Sequence, residues 1–231
     1  MTAPGGGGHQ RHTGEAVRVL AGDVETSALV SAPAAGGRMF ILAHGAGGSL
    51  DDPLLVATHE ELTAHGHGVA RFNFLYRERG AKLPDKAPVC EATFEHVLAW
   101  VERRFPDQAG RVILGGKSMG GRMASHLAAQ GTTMGGLFLL GYPLHPAKQP
   151  SKLRDEHLPR IRARTFFAQG TNDALCDLKL MRPRVRKMGA HAKLHVVEGA
   201  DHSLELPKRA GQTRAETVAI VVREACAWLS A

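Results

Sequence analysis

The sequence predicts an α/β fold, a mostly parallel, twisted sheet of about eight strands with helices on both faces. Three observations predict it. Short apolar runs alternate with longer segments of helical period, as in parallel strands joined by crossover helices. The 27 glycines cluster where those runs end, and tight strand-to-helix loops call for them there. Only 5% of the 231 residues are aromatic against 43% hydrophobic, so aliphatic and small side chains must fill most of the core.

Taken in order, "VRVLAG" (17–22) and "TSALVSAP" (26–33) alternate with period two, as an antiparallel pair does. "RMFILAH" (38–44) is a near-continuous buried strand leading into the glycine turn "GAGG". Residues 53–65 form a helix with Pro53 in its first turn. "GVARFNF" (68–74) is the next strand, and the polar, proline-bearing stretch 75–88 is a loop. Phe94, Val97, Leu98 and Val101 mark one face of a helix ending near Phe105. "RVILGG" is a strand with a helix starting at Met119, and "GGLFLLGYP" and "RTFFAQG" are two more strands. A helix over 175–188, the strand "AKLHVVEG" and a helix over 215–229 complete the chain. In such a sheet the ligand crevice lies at the carboxyl ends of the strands.

Composition narrows the function classes. The formal charge of +7 comes from scattered Lys and Arg without interleaved aromatics, which argues against nucleic acid. Cys90, Cys176 and Cys226 form no C-x-x-C pair, the usage of a reducing compartment. The first sixteen residues are polar and Gly-rich and read as a flexible segment ahead of a single domain over 17–231. They lack the apolar core of a secretory signal, and no run approaches the roughly 18–20 apolar residues of a membrane helix. The expectation is a cytoplasmic protein with no membrane or nucleic-acid partner. Oligomeric state is not legible.

The stretch "VILGGKSMGGRMAS" (112–125) admits two chemistries. Its "GGKS" resembles the end of a phosphate-binding loop. That motif needs a glycine five residues before Gly116, but Arg111 stands there, and Val112 to Leu114 are strand rather than cradle. The alternative is G-x-S-x-G, Gly116 to Gly120, a sharp turn between strand and helix that exposes a nucleophilic Ser118. The strand–turn–helix context favours the second. In it, amides of Met119, at the helix start, and Ala46, in "HGAGG", would form the oxyanion hole. Asp173 in "QGTNDAL" follows a strand and is the candidate acid, with Asp177 as the alternative. His202 in "GADHSL" is the candidate base. The order Ser118, Asp173, His202 is that of the hydrolase triad.

The strings "LAHGAGG", "RFNFLYRERG", "GGKSMGGRMAS", "LGYPLHP", "QGTNDAL" and "GADHSL" together resemble a small serine α/β-hydrolase. The likeness is to dienelactone-hydrolase-like proteins and, within them, to the testis-expressed protein 30 group. The resemblance implies an α/β-hydrolase fold with minimal or no cap. It also implies Ser118 as nucleophile, His202 as base and Asp173 as its orienting acid, acting on a small-molecule ester without metal or cofactor. The stretch between Tyr142 and Arg164 is the one place for a cap and is short, so an open site for short acyl groups is expected. Tyr76, Tyr142 and Leu144 follow strand ends as candidate substrate contacts, with plain packing as the alternative. Lys117 and Arg122 flank the turn, either to attract an anionic substrate or in a structural role. A non-catalytic scaffold, and an acyltransferase or peptidase with the same triad, are the competing functions.

Overall fold

The computed structural model describes residues 14–230. Residues 1–13, the bulk of the expected flexible segment, lie outside that range. The strands form one eight-stranded sheet of order β1-β2-β4-β3-β5-β6-β7-β8. β1 (Glu15–Ala21) and β2 (Val24–Ser31) are an antiparallel hairpin, closed by the pairing of Ala21 with Val24. β2 also runs antiparallel to β4 (Gly68–Phe72). From there β4, β3 (Met39–Ala43), β5 (Ile113–Lys117), β6 (Gly136–Leu140), β7 (Thr165–Gly170) and β8 (Ala192–Val197) are all parallel.

Period-two alternation splits the core into two layers. Met39, Ile41 and Ala43 of β3 face the layer under α3 (Ala87–Arg104), α4 (Met119–Gln130) and α5 (Leu178–Met188). Phe40 and Leu42 face the opposite layer, under α1 (Pro53–Ala64) and α6 (Arg214–Ser230). All five β3 residues are buried, which explains why the strand reads as a continuous apolar run rather than an alternating one. α1 starts where the sequence places it because Pro53 needs no amide acceptor and the Asp52 carboxylate accepts from Leu54 N–H at 3.0 Å.

Among the boundaries that differ from the sequence expectation, three have a local cause. β1 opens at Glu15, two residues before the expected domain start, since pairing with Val30 extends the ladder. The stretch expected as loop after Phe74 begins with a helical turn, α2 (Leu75–Glu78); its polar periphery hides buried Leu75 and Tyr76. α5 starts at Leu178 rather than 175, because Asp177 caps it by accepting from Lys179 N–H at 2.8 Å. Between β6 and β7, residues 141–164 contain only the 3-10 turn Leu158–Arg160, so the crevice has no large lid. Among the described residues no helix is long and apolar enough to cross a membrane.

Candidate active site

Ser118 stands between β5 and α4 with φ 53° and ψ −117°, a left-handed conformation that costs a non-glycine residue about 1–3 kcal/mol. The neighbours make the turn possible. A Cβ on Gly116 would lie 2.0 Å from the Ala43 carbonyl oxygen, and one on Gly120 2.1 Å from it, so β3 can pass this close only to glycine at both positions. Ser118 N–H donates to Leu140 O at 2.9 Å, and Ser118 O accepts from Arg122 N–H at 3.0 Å. The strained residue is thereby held by the next strand and by its own helix.

The other two candidates meet it over the strand ends. His202 lies in the turn after β8, where the Asp201 carboxylate accepts from Ser203 N–H and Glu205 N–H at 2.8 and 3.0 Å. Its Nε2 is 2.8 Å from Ser118 Oγ, and its Nδ1 is 2.7 Å from Asp173 Oδ2. The Asp173 side chain is fully buried and that of His202 is 23% exposed, so one end of the row is sealed and the other faces solvent. Asp173 also accepts from Leu175 N–H at 2.7 Å through Oδ1 and from the Gln169 amide through Oδ2. Three donors therefore converge on a buried carboxylate. With its Nδ1 against the Asp173 carboxylate, the imidazole carries its hydrogen there, leaving Nε2 to accept from the serine hydroxyl.

The loop after β3 closes the opposite side. Its exposed tip includes Ala46 and Gly47. The Gly47 amide donates to the Tyr76 hydroxyl at 3.2 Å and the Gly48 amide to Gly45 O at 3.0 Å. The Ala46 amide makes no hydrogen bond within the described residues, and the Met119 amide, in the first turn of α4, has no intrahelical acceptor. His44, fully buried, fixes the loop from below: Nδ1 bonds Gly45 O at 2.8 Å, and Nε2 accepts from Phe74 N–H at 3.1 Å. Burial lowers its pKa to about 4, so it is neutral, as an Nε2 that accepts from an amide must be. Farther out, Asn73 Oδ1 accepts from Leu50 N–H at 2.8 Å. Asn73 Nδ2 donates to Glu78 at 3.0 Å, and Glu78 also receives Arg18 at 2.8 Å and Ser27 N–H at 3.1 Å.

With this geometry in view, comparison with known proteins is decisive for the family. Residues 36–230 match the family described as the alpha/beta hydrolase domain. The chain belongs to the α/β-hydrolase family. Its fold also resembles three solved structures, each at a TM-score of 0.71. An alpha-beta serine hydrolase homologue from Coxiella burnetii is 18% identical, over 91% of this chain and 96% of that one. A dienelactone hydrolase from Anabaena variabilis is 21% identical, over 94% and 97%. An α/β serine hydrolase without lid from Xanthomonas campestris is 18% identical, over 94% and 96%.

In this α/β-hydrolase chain the expected substrate contacts lie in the interior. Tyr76, Tyr142 and Leu144 are 0%, 1% and 0% exposed. The Tyr142 hydroxyl donates to Arg154 O at 2.8 Å. Asp177 is occupied as the α5 cap. Lys117 forms a largely buried ion pair with Asp52 at 2.8 Å, tying the end of β5 to the start of α1, the structural alternative for that residue. Sequence reasoning missed Gln169, fully buried at the end of β7. Besides bonding Asp173 it accepts from Tyr142 N–H at 2.9 Å, joining the acid to the end of β6. Its signal was a lone amide in the apolar run "TFFAQG". His44, Asn73 and Glu78 were likewise quoted in motifs and given no role.

Proposed function

We propose that the protein is a serine hydrolase that cleaves carboxylic esters of small molecules through an acyl-enzyme. The unbroken row Asp173–His202–Ser118, with bonds of 2.7 and 2.8 Å, carries the reading. His202 Nε2 takes the Ser118 proton as Oγ attacks the ester carbonyl. The free amides of Ala46 and Met119 receive the oxyanion, each worth about 3 kcal/mol where such donors have been removed from other enzymes. Asp173 holds the tautomer and stabilises the imidazolium. The charged His202 protonates the departing alkoxide, and the C–O bond breaks to release an alcohol. Water, deprotonated by His202, then attacks the acyl-enzyme and frees the acid and Ser118. The short connection over residues 141–164 favours short, accessible acyl groups. The unpaired cysteines fit a cytoplasmic setting, and the motif strings support placement near the testis-expressed protein 30 group.

A fluorophosphonate probe should label the wild type and not Ser118→Ala, and the wild type should hydrolyse short p-nitrophenyl esters faster than long ones. Absence of both labelling and ester turnover would leave the chain a binding scaffold. Labelling with transfer to an amine or alcohol in place of water would make it an acyltransferase, and amide cleavage a peptidase.

A further inference from the structure

A second polar feature takes no part in the chemistry above. A cavity of about 360 Å³ lies between α4 and residues 153–160, with Arg122, Arg154 and Arg160 in its wall. Arg122 follows Ser118 by one turn of α4, and its charge is felt at Arg154 and His157. None of the three guanidiniums forms an ion pair or side-chain hydrogen bond among the described residues, and Arg122 Nε is buried with no partner. The other wall groups are already committed. His157 bonds Ser125 Oγ at 2.7 Å, His126 bonds Glu91 at 2.6 Å, and the Asp155 carboxylate is taken by Arg184. Glu156, the remaining carboxylate, is exposed.

Arg122 and Arg154 are partly buried and Arg160 is exposed, and unpaired like charges held together are unfavourable. Their mutual proximity is felt: burial, then the charge of Arg122, lowers the pKa of Arg154. A planar guanidinium with free N–H groups matches a carboxylate or phosphate in fork geometry. We propose that this cavity binds an anionic group, a carboxylate or a phosphate. Because Arg122 follows Ser118 by one turn of α4, the anion can be tested as part of an ester substrate, and that arm alone rests on the esterase reading.

Calorimetric titration of the full chain with inorganic phosphate and with succinate tests it. Both should bind, Arg122→Gln should weaken binding tenfold or more, and Arg122→Gln with Arg154→Gln should abolish it. Arg122→Lys should lie between, and Lys152→Gln, an exposed charge control, should bind as the wild type does. Circular dichroism checks that each variant is folded. Competitive inhibition by phosphate, with kcat/KM favouring a p-nitrophenyl hemisuccinate over the acetate and Arg122→Gln lowering that ratio tenfold, assigns the anion to the substrate. Binding with the same arginine dependence but an unchanged ester ratio assigns it to a free anion. No binding of either probe, or binding that survives the double substitution, overturns the proposal. Binding without fluorophosphonate labelling would sustain it while sinking the esterase reading.

Discussion

On one side of Ser118 the polar groups form a single file, Asp173 to His202 to Ser118, each contact a side chain on a side chain. On the other side the loop over residues 44–48 is held by a web that leaves free the amide of Ala46 at its tip. His44 grips Gly45 and Phe74, the Tyr76 hydroxyl receives Gly47 N–H, and Asn73 and Glu78 brace Leu50 from behind. In the proposed mechanism the first side moves a proton and must keep one end open to substrate. In that proposal the second only has to present an N–H, so its innermost supports, His44 and Tyr76, can be sealed and neutral, with the Glu78–Arg18 ion pair farther out. The proposal therefore predicts that one side loses catalysis when a single member changes, while the other loses precision.

The largest break is Asp173→Asn. An asparagine amide offers no anion to the imidazolium and turns the His202 tautomer, so turnover should fall roughly 10,000-fold with the fold intact. Ester kinetics beside a urea melt measure both. Wild-type turnover would mean that the acid lies elsewhere.

Acid should strike the sealed groups. His44 and His59 are lowered to about 4 and His157 to about 3, in each case chiefly by burial. Unfolded, each titrates near its ordinary 6.5. Between pH 6.5 and 4 the unfolded chain therefore binds more protons, and stability falls as pH falls, by up to about 3 kcal/mol per histidine. Above 6.5 these groups leave stability unchanged. Urea midpoints at pH 7 and 4.5 measure the drop. His44→Gln, whose side-chain oxygen can still accept from Phe74 N–H, should show a smaller one; an equal drop would remove His44 from the account.

The two sides were unequally legible in the sequence. Gly116, Ser118 and Gly120 could be read because a strand must turn into a helix against Ala43 within five residues, and few residue types allow it. Asp173 and His202 could be placed because each follows a strand, the buried β7 and the half-buried β8, and parallel topology brings such strand ends to one edge. The web could not be read. Arg18, Ser27, Asn73 and Glu78 meet through tertiary packing across sixty positions, and no local pattern marks a polar residue as someone else's partner. Tyr76, Tyr142 and Leu144 teach the same lesson: position after a strand end is readable, but whether a side chain enters the crevice or the core is decided by what packs beside it.

Gln169 joins the file to the sheet. Gln169→Leu removes one donor from Asp173 and leaves Tyr142 N–H without its acceptor, a loss of about 1–3 kcal/mol. A positioning role predicts a kcat reduced 10- to 100-fold with KM little changed; Gln169→Glu, which sets a second carboxylate against Asp173, should be worse. Unchanged kcat with lower stability would make Gln169 structural only.

Tyr76→Phe should give the smallest effect, and it separates the two readings of that residue. The ring stays and only the hydroxyl goes, so Gly47 N–H loses its acceptor at a cost of about 0.5–1.5 kcal/mol. If Tyr76 positions the loop, kcat should fall severalfold by the same factor across a p-nitrophenyl series from acetate to octanoate, and fluorophosphonate labelling should slow in parallel. If instead its hydroxyl contacts substrate, the loss should depend on the acyl group and appear in KM. The full burial of the ring and the 3.2 Å bond from Gly47 favour the uniform loss: the sealed side acts through where it holds an amide, not through what it touches.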